Sequence, residues 1–276
     1  MEEEGVRRLI TTGLIFRAIN GKDPKKLIQA LKNGKKHGFD INGTVDCSDG
    51  NKMPIFHTAL ASNCDISIIK ILIKNGANVN APNALGHLPL HICISSRNYT
   101  DLALLLIENG ADVNALSVIN NKTALIRAIE NDCTEIAIAL IKKGADINQI
   151  IVEIQKDTDG EDKEIYISAL ITAIIYKNID VINELIKCNV SVDYIVQFDT
   201  NVSELAIAIS NKYKPAIKAI INYYKKNGVQ IFKKETKCIC DKKTKSLCSI
   251  CNTAKYCSKE CQEKAWPIHR LYCKYI

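Results

Sequence analysis

Apolar residues recur along the chain in a fixed relation to glycine. Leu72-Ile73, Leu106-Ile107 and Leu140-Ile141 begin four residues before Gly76, Gly110 and Gly144, and the step from each glycine to the next is the same. After each glycine comes an alternating run: Ala77-Asn78-Val79-Asn80, Ala111-Asp112-Val113-Asn114 and Ala145-Asp146-Ile147-Asn148. Such glycines suit the left-handed residue that ends a helix, and the Asn or Asp just beyond suits a tight turn. A second motif lies about twenty residues upstream of each glycine, as Leu88-Pro89-Leu90-His91-Ile92-Cys93 and Thr123-Ala124-Leu125-Ile126-Arg127-Ala128, with poorer copies at Met53-Pro54-Ile55-Phe56 and Ser168-Ala169-Leu170. Pro89 suits a first helical turn, where its missing N–H is no loss. Weaker copies extend the pattern: Gly38-Phe39-Asp40-Ile41-Asn42 upstream, Leu185-Ile186 before Asn189 downstream, and a sixth unit from Ser203 to Gly228.

These motifs resemble the ankyrin repeat, whose period is about 33 residues. The resemblance implies a mainly α fold: an ankyrin-repeat solenoid of about six helix-turn-helix units with β-hairpin connections, in residues 1–232. Each unit has too little core to fold alone, so stacking buries the Leu-Ile stripe against its neighbours. The resemblance also implies a protein partner, held on the concave face and the hairpin tips.

Two insertions interrupt the period. The interval from Gly144 to Asn189 exceeds the step between the earlier glycines by eleven residues. Within the excess, Val152/Ile154 and Ile165/Ile167 flank a turn at Asp159-Gly160, which predicts an enlarged β-hairpin. Its acidic tip is too short for a twelve-residue calcium loop. Val45 to Lys52, with Asp49-Gly50, predicts the same device in small form.

The histidines here carry no catalytic motif. His91 occupies the repeat's own histidine position and predicts a structural hydrogen bond; His57 and His87 lie near unit starts. Cys93 replaces a small alanine, and Cys64, Cys133 and Cys188 near helix ends read as packing residues.

Composition changes the picture in one place. Twelve cysteines in 276 residues are unevenly spread: Cys238, Cys240, Cys248, Cys251, Cys257, Cys261 and Cys273 crowd into the last 39. No apolar run reaches the roughly 18 residues of a membrane span, and Met1-Glu2-Glu3-Glu4 is unlike a secretory leader. Crowded cysteines without a leader predict metal ligation in a reducing compartment, cytoplasm or nucleus. The net charge of +7 has the same address. From Lys225 onward there are 13 Lys/Arg against 4 Asp/Glu, a net of +9, which leaves 24 against 26 for the preceding residues.

Seven thiolates and His269 make eight ligands, the complement of two tetrahedral zinc sites. Cys257 and Cys261 are about one helical turn apart, as are His269 and Cys273, so each pair can address one metal from one helix face. The run Cys-x2-Cys-x4-Tyr-Cys-x3-Cys-Gln-x3-Trp-x2-His-x3-Cys, residues 248 to 273, resembles the MYND zinc finger. The resemblance implies a small cross-braced domain at 233–276 holding two Zn²⁺. Cys238, Cys240, Cys257 and Cys261 would take the first zinc, and Cys248, Cys251, His269 and Cys273 the second. One position departs from the family, whose first pair is Cys-x2-Cys where this chain has Cys238-Ile-Cys240. The resemblance further implies a shallow groove for proline-containing peptides, to which Ser249, Gln262 and Trp266 correspond. Trp266 offers a flat apolar surface on which an extended proline-rich segment can lie.

The expectation is a non-enzymatic protein–protein interaction adaptor. Both zincs would be fully ligated by protein, with no open position for a catalytic water. The competing readings are a nucleic-acid-binding regulator using Lys233, Lys234, Lys237, Lys242, Lys243 and Lys245, or a substrate adaptor of a ubiquitin-ligase complex. Those lysines lack interleaved aromatic residues and form no nucleic-acid motif.

Overall fold

The computed structural model describes residues 2–46, 52–62, 65–96, 99–156, 160, 162–190, 208, 213–226, 246–247 and 255–256. Its chain forms two compact units, Met1–Asp146 and Ile147–Ile276.

The first unit is built from helix pairs: α1 (Glu2–Asn20) with α2 (Pro24–Lys35), α3 (Ile55–Ala61) with α4 (Ile66–Lys74), α5 (Pro89–Ile94) with α6 (Thr100–Glu108), and α7 (Ala124–Glu130) with α8 (Thr134–Lys142). First helices pack on first helices, α1 on α3 and α5 on α7, and second on second, α2 on α4 and α6 on α8. Local chemistry sets the starts. Pro89 opens α5, while the Asp23, Asp65 and Thr123 side chains accept from the backbone N–H of Lys26, Ser67 and Ile126.

The ends are set by backbone conformation. Gly76, Gly110 and Gly144 have φ of +94°, +86° and +87°. A Cβ added at any of them would meet nothing within 4 Å, so it is the left-handed backbone and not crowding that selects glycine. The turn lets the N–H of Ala77, Ala111 and Ala145 return to the carbonyls of Leu72, Leu106 and Leu140 at 2.9–3.0 Å, which satisfies carbonyls the helix leaves open. The same three leucines are fully buried, and truncating one to alanine costs about 2–5 kcal/mol. One short motif thus ends the helix and supplies the core.

Between the first two pairs, β1 (Thr44–Asp46) and β2 (Lys52–Pro54) form the predicted small hairpin, with Val45 opposite Met53.

In the second unit, β3 (Ile151–Lys156) and β4 (Asp162–Ile167) form the predicted larger hairpin, with Ile151 opposite Ile167 and Val152 opposite Tyr166. Gly160 at its tip has φ of +84°. Then come α9 (Ala169–Ile175) and α10 (Ile179–Lys187), capped by the side chains of Ser168 and Asn178. Asn189 stands in for the glycine, with φ of +55°, and Val190 N–H returns to the Leu185 carbonyl at 3.1 Å. Asparagine is among the side-chain-bearing residues most tolerant of that region. Helix α11 (Lys214–Lys226) packs on α10 and, with Ala208 and Tyr213, is the described part of the sixth repeat. Tyr213 and Tyr223 tie it in, donating to the carbonyls of Lys177 and Val190 at 2.8 and 3.1 Å. Last come β5 (Ser246–Leu247) and β6 (Lys255–Tyr256), paired antiparallel. Among the described residues no helix is long and apolar enough to cross a membrane.

Candidate protein-interaction surface and metal centre

Side-chain amides hold the turns of the first unit in register. Asn80 donates from Nδ2 to the Gly110 carbonyl at 2.9 Å and accepts from Asp112 N–H at 2.8 Å. Asn42 bridges to Gly76 and Asn78 in the same way, at 3.3 and 2.7 Å, and Asn114 to Gly144 and Asp146, at 3.4 and 2.7 Å. Within each turn, Asp40, Asn78 and Asp112 accept from the backbone N–H of Asn42, Asn80 and Asn114 at 2.9 Å. Each asparagine is therefore fixed by its own turn and clasps the next.

Histidines fix the inner helices to the following turns. His91 Nε2 lies 3.0 Å from the Ala115 carbonyl, as its expected structural role requires. His57 Nε2 lies 2.7 Å from the Ala81 carbonyl and so does the same work one repeat earlier. In each ring Nε2 must carry the proton to meet a carbonyl, which leaves Nδ1 as an acceptor. Both Nδ1 atoms are buried and have no hydrogen-bond partner among the described residues. Burial holds both imidazoles below the usual histidine range, against a smaller opposing pull from those carbonyls. Neutral, buried and pinned, these rings are struts.

The ordered turns carry tips with apolar ends. In the first, Asn83 Oδ1 accepts from the N–H of Leu85 and His87 at 3.0 and 2.9 Å, and Gly86 has φ of +80°. In the second, Asn121 N–H reaches the Ser117 carbonyl at 2.8 Å, and Leu116 bridges to Thr123. The tips touch: a Cβ added at Gly86 would lie 3.2 Å from a methyl of Val118. Leu85 and Ile119 stand clear of this contact, 73% and 74% exposed. In the repeat that carries Ile119, Lys122 Nζ and Arg127 Nη1 both engage Glu130, at 2.7 and 3.4 Å, and Arg127 Nη2 lies 3.5 Å from Ser95 Oγ. The tips thus present an aliphatic edge, and the same repeat holds an internally paired, largely buried charge cluster. In the second unit, Val152 and Ile154 are exposed on β3, while Ile151 is buried.

The cysteines of the repeats behave as expected with one correction. Cys93 is fully buried, and burial pushes its thiol up to about 12, so it is a small core residue. Cys133, half-buried, stands just before α8 without capping it, its Sγ donating to the Asn131 carbonyl at 3.6 Å. Cys188 follows α10 but is exposed, so it does not pack as expected: the helix has already turned its apolar face elsewhere. Cys47 and Cys64 lie outside the described residues.

All the predicted zinc ligands, Cys238, Cys240, Cys248, Cys251, Cys257, Cys261, His269 and Cys273, also lie outside the described residues, as do Ser249, Gln262 and Trp266. The hairpin β5–β6 stands among them in sequence. The segment joining its strands contains Cys248 and Cys251, and Cys257 follows directly after Tyr256. The donor set fits zinc: soft thiolates and one imidazole, in a number that fills tetrahedral sites. Among the described residues no cluster of His, Cys, Asp or Glu could hold a metal.

Comparison with known families agrees with both parts. The family model described as "Ankyrin repeats (3 copies)" matches residues 14–117, "Ankyrin repeat" matches 120–151, and "MYND finger" matches 236–273. This chain is an ankyrin-repeat protein with a MYND-type zinc finger. Histone-lysine N-methyltransferase SMYD3 of Homo sapiens is 50% identical over 38 residues, 14% of this chain and 9% of that protein. Its Mus musculus counterpart is 51% identical over 37 residues, again 9% of that protein. Putative ankyrin repeat protein FPV024 of Fowlpox virus (strain NVSL) is 36% identical over 58 residues, 21% of this chain and 10% of that protein. The chain thus spans about a tenth of the length of these curated relatives. The methyltransferase likeness falls on the finger and does not reach the methyltransferase domain. Ankyrin repeats and MYND fingers are protein-interaction modules, typically non-catalytic, and the finger binds zinc. Helices α9 and α10 lie beyond the matched repeats yet have the same caps and the same helix-ending turn.

Proposed function

We propose that this ankyrin–MYND protein is an adaptor that holds one protein on its repeat tips and a proline-containing peptide on its finger. The observation that carries the first half is the aliphatic edge made by Leu85, Val118 and Ile119. Large apolar side chains held out by ordered turns contribute nothing to the core and are the kind of surface a partner covers. Paired charges in the same repeat would confer register more than affinity.

The second half rests on the finger's residues. Two zinc ions, held by Cys238/Cys240/Cys257/Cys261 and by Cys248/Cys251/His269/Cys273, would cross-link a segment too small to fold on a hydrophobic core. Zinc here supplies folding energy. Trp266, with Ser249 and Gln262, would receive an extended peptide in the polyproline conformation. Joining two modules of modest affinity raises the effective concentration of the second contact. The adaptor would work in the cytoplasm or nucleus, the repeats ending near residue 232 and the finger following.

The test is affinity capture with the wild type, with Leu85→Asp/Ile119→Asp and with Trp266→Ala. Two separable surfaces predict that each variant loses a different set of captured proteins. Sets unchanged in both variants would refute the reading, and capture that collapses steeply with salt would favour the basic finger as a nucleic-acid contact.

A further inference from the structure

Helix α1 is 19 residues long, whereas the equivalent first helices α3, α5 and α7 have 7, 6 and 7. Among the residues whose burial is described, the buried ones are Thr11, Ile15, Ala18 and Ile19, from the middle of the helix to its end. Val6, Leu9, Ile10 and Leu14 are exposed, at 56%, 68%, 57% and 44%. They follow the i, i+3, i+4 spacing of a single helical stripe. Gly13 lies on that stripe, and a Cβ there would meet nothing. So the first half of α1 carries apolar side chains that the repeats do not cover, and a helical segment this short is marginal in water by itself.

Charge says what covers it. Positions 2, 3 and 4, where the helix begins, are all glutamate, and the exposed Arg17 stands in its last turn. Arg7 and Arg8 follow a turn later, so charge complementarity rests on individual positions: antiparallel pairing with a second copy sets glutamate at position 3 against Arg17 and Arg7 against Gly13, whereas parallel pairing sets like charge on like at positions 3, 7 and 17. With a twofold axis at Ile10, Val6 comes opposite Leu14 of the second copy, Ile10 opposite Ile10, and position 3 opposite position 17. Gly13 then comes opposite Arg7 and leaves room for the helices to approach. An interface of this kind is isologous: every contact is made twice. We propose that α1 is a self-association element through which two copies of this chain pair antiparallel. The proposal is independent of the peptide-binding reading of the finger.

The experiment is sedimentation velocity on the full zinc-loaded chain over a range of concentrations. The wild type is expected to show a reversible monomer–dimer equilibrium, and Ile10→Asp to stay monomeric with unchanged circular dichroism. Arg17→Glu should weaken the dimer at least tenfold, and Glu3→Arg/Arg17→Glu should restore it. That rescue cannot arise from damage to folding. A wild type that stays monomeric, a dimer that survives Ile10→Asp, or failure of the double charge reversal to restore pairing would overturn the proposal. So would a monomer whose α1 stripe instead binds anionic phospholipid vesicles, with loss of binding in Ile10→Asp.

Discussion

Leu85 and Ile119 occupy corresponding points of successive repeat tips, and each is nearly three-quarters exposed. Neither contributes to the core. Replacing both by aspartate is expected to change unfolding free energy by less than about 1 kcal/mol, the usual range for exposed positions. Partner binding should nevertheless fall by at least tenfold. Urea titration alongside the capture assay checks both halves, and a large loss of stability would assign the tips to the fold.

Asn80 makes its two inter-repeat bonds at 2.9 and 2.8 Å, whereas the Asn114 amide reaches Gly144 at 3.4 Å. Asn80→Ala removes a clasp that water can only partly replace, and should cost about 1–2 kcal/mol. Asn114→Ala should cost less. Chemical denaturation of the two variants gives the order, and a reversed order would mean that the turns are held by their own backbone.

The struts set a pH dependence. His57 and His91 have folded-state pKa values below the unfolded value of 6.5, chiefly through burial. Below 6.5 the unfolded chain takes up protons that the folded chain refuses, so their stabilisation is full above that pH and is lost as pH falls through the folded values. His57→Gln/His91→Gln keeps an N–H for each carbonyl and removes the titration. Melting temperature against pH should fall less steeply for this variant between pH 6.5 and 4.5. Parallel curves would place the acid sensitivity elsewhere.

Much of the repeat array is legible in the amino-acid sequence because its markers are conformational. Gly76, Gly110 and Gly144 are required by a backbone angle, and Leu72, Leu106 and Leu140 by the core, so both recur at one step. His57 shows how one shifted residue conceals a repeat position. It lies one repeat step before His91, but Pro54 caps α3 while Pro89 opens α5 one position further in, and the shifted proline hides the match. The tips are silent for a different reason. Leu85 and Ile119 look like core residues in sequence, and only the fold shows that they face out. The length of α1 is equally hidden, since its exposed stripe has the periodicity of a buried one. In the finger, ligand spacing and the residues around the ligands make the zinc assignment legible, and the ligands themselves lie outside the described residues.

The first zinc site departs from its family in one place, Cys238-Ile-Cys240. One intervening residue makes the backbone bend for both thiolates to reach a single metal, so Cys238 should be the weaker ligand. Cys238→Ser is expected to retain more zinc than Cys240→Ser under chelator challenge. Colorimetric zinc release checks it, and equal losses would mean that the shortened spacing is fully accommodated.

The chain contains a single tryptophan, Trp266, so the protein carries its own probe at the predicted peptide groove. The most direct measurement is its emission in the zinc-loaded chain during titration with a Pro-x-Leu-x-Pro peptide. The adaptor reading predicts a saturable spectral shift that survives moderate salt and vanishes on zinc chelation. An unchanged spectrum at every peptide concentration, with zinc still bound, would contradict it.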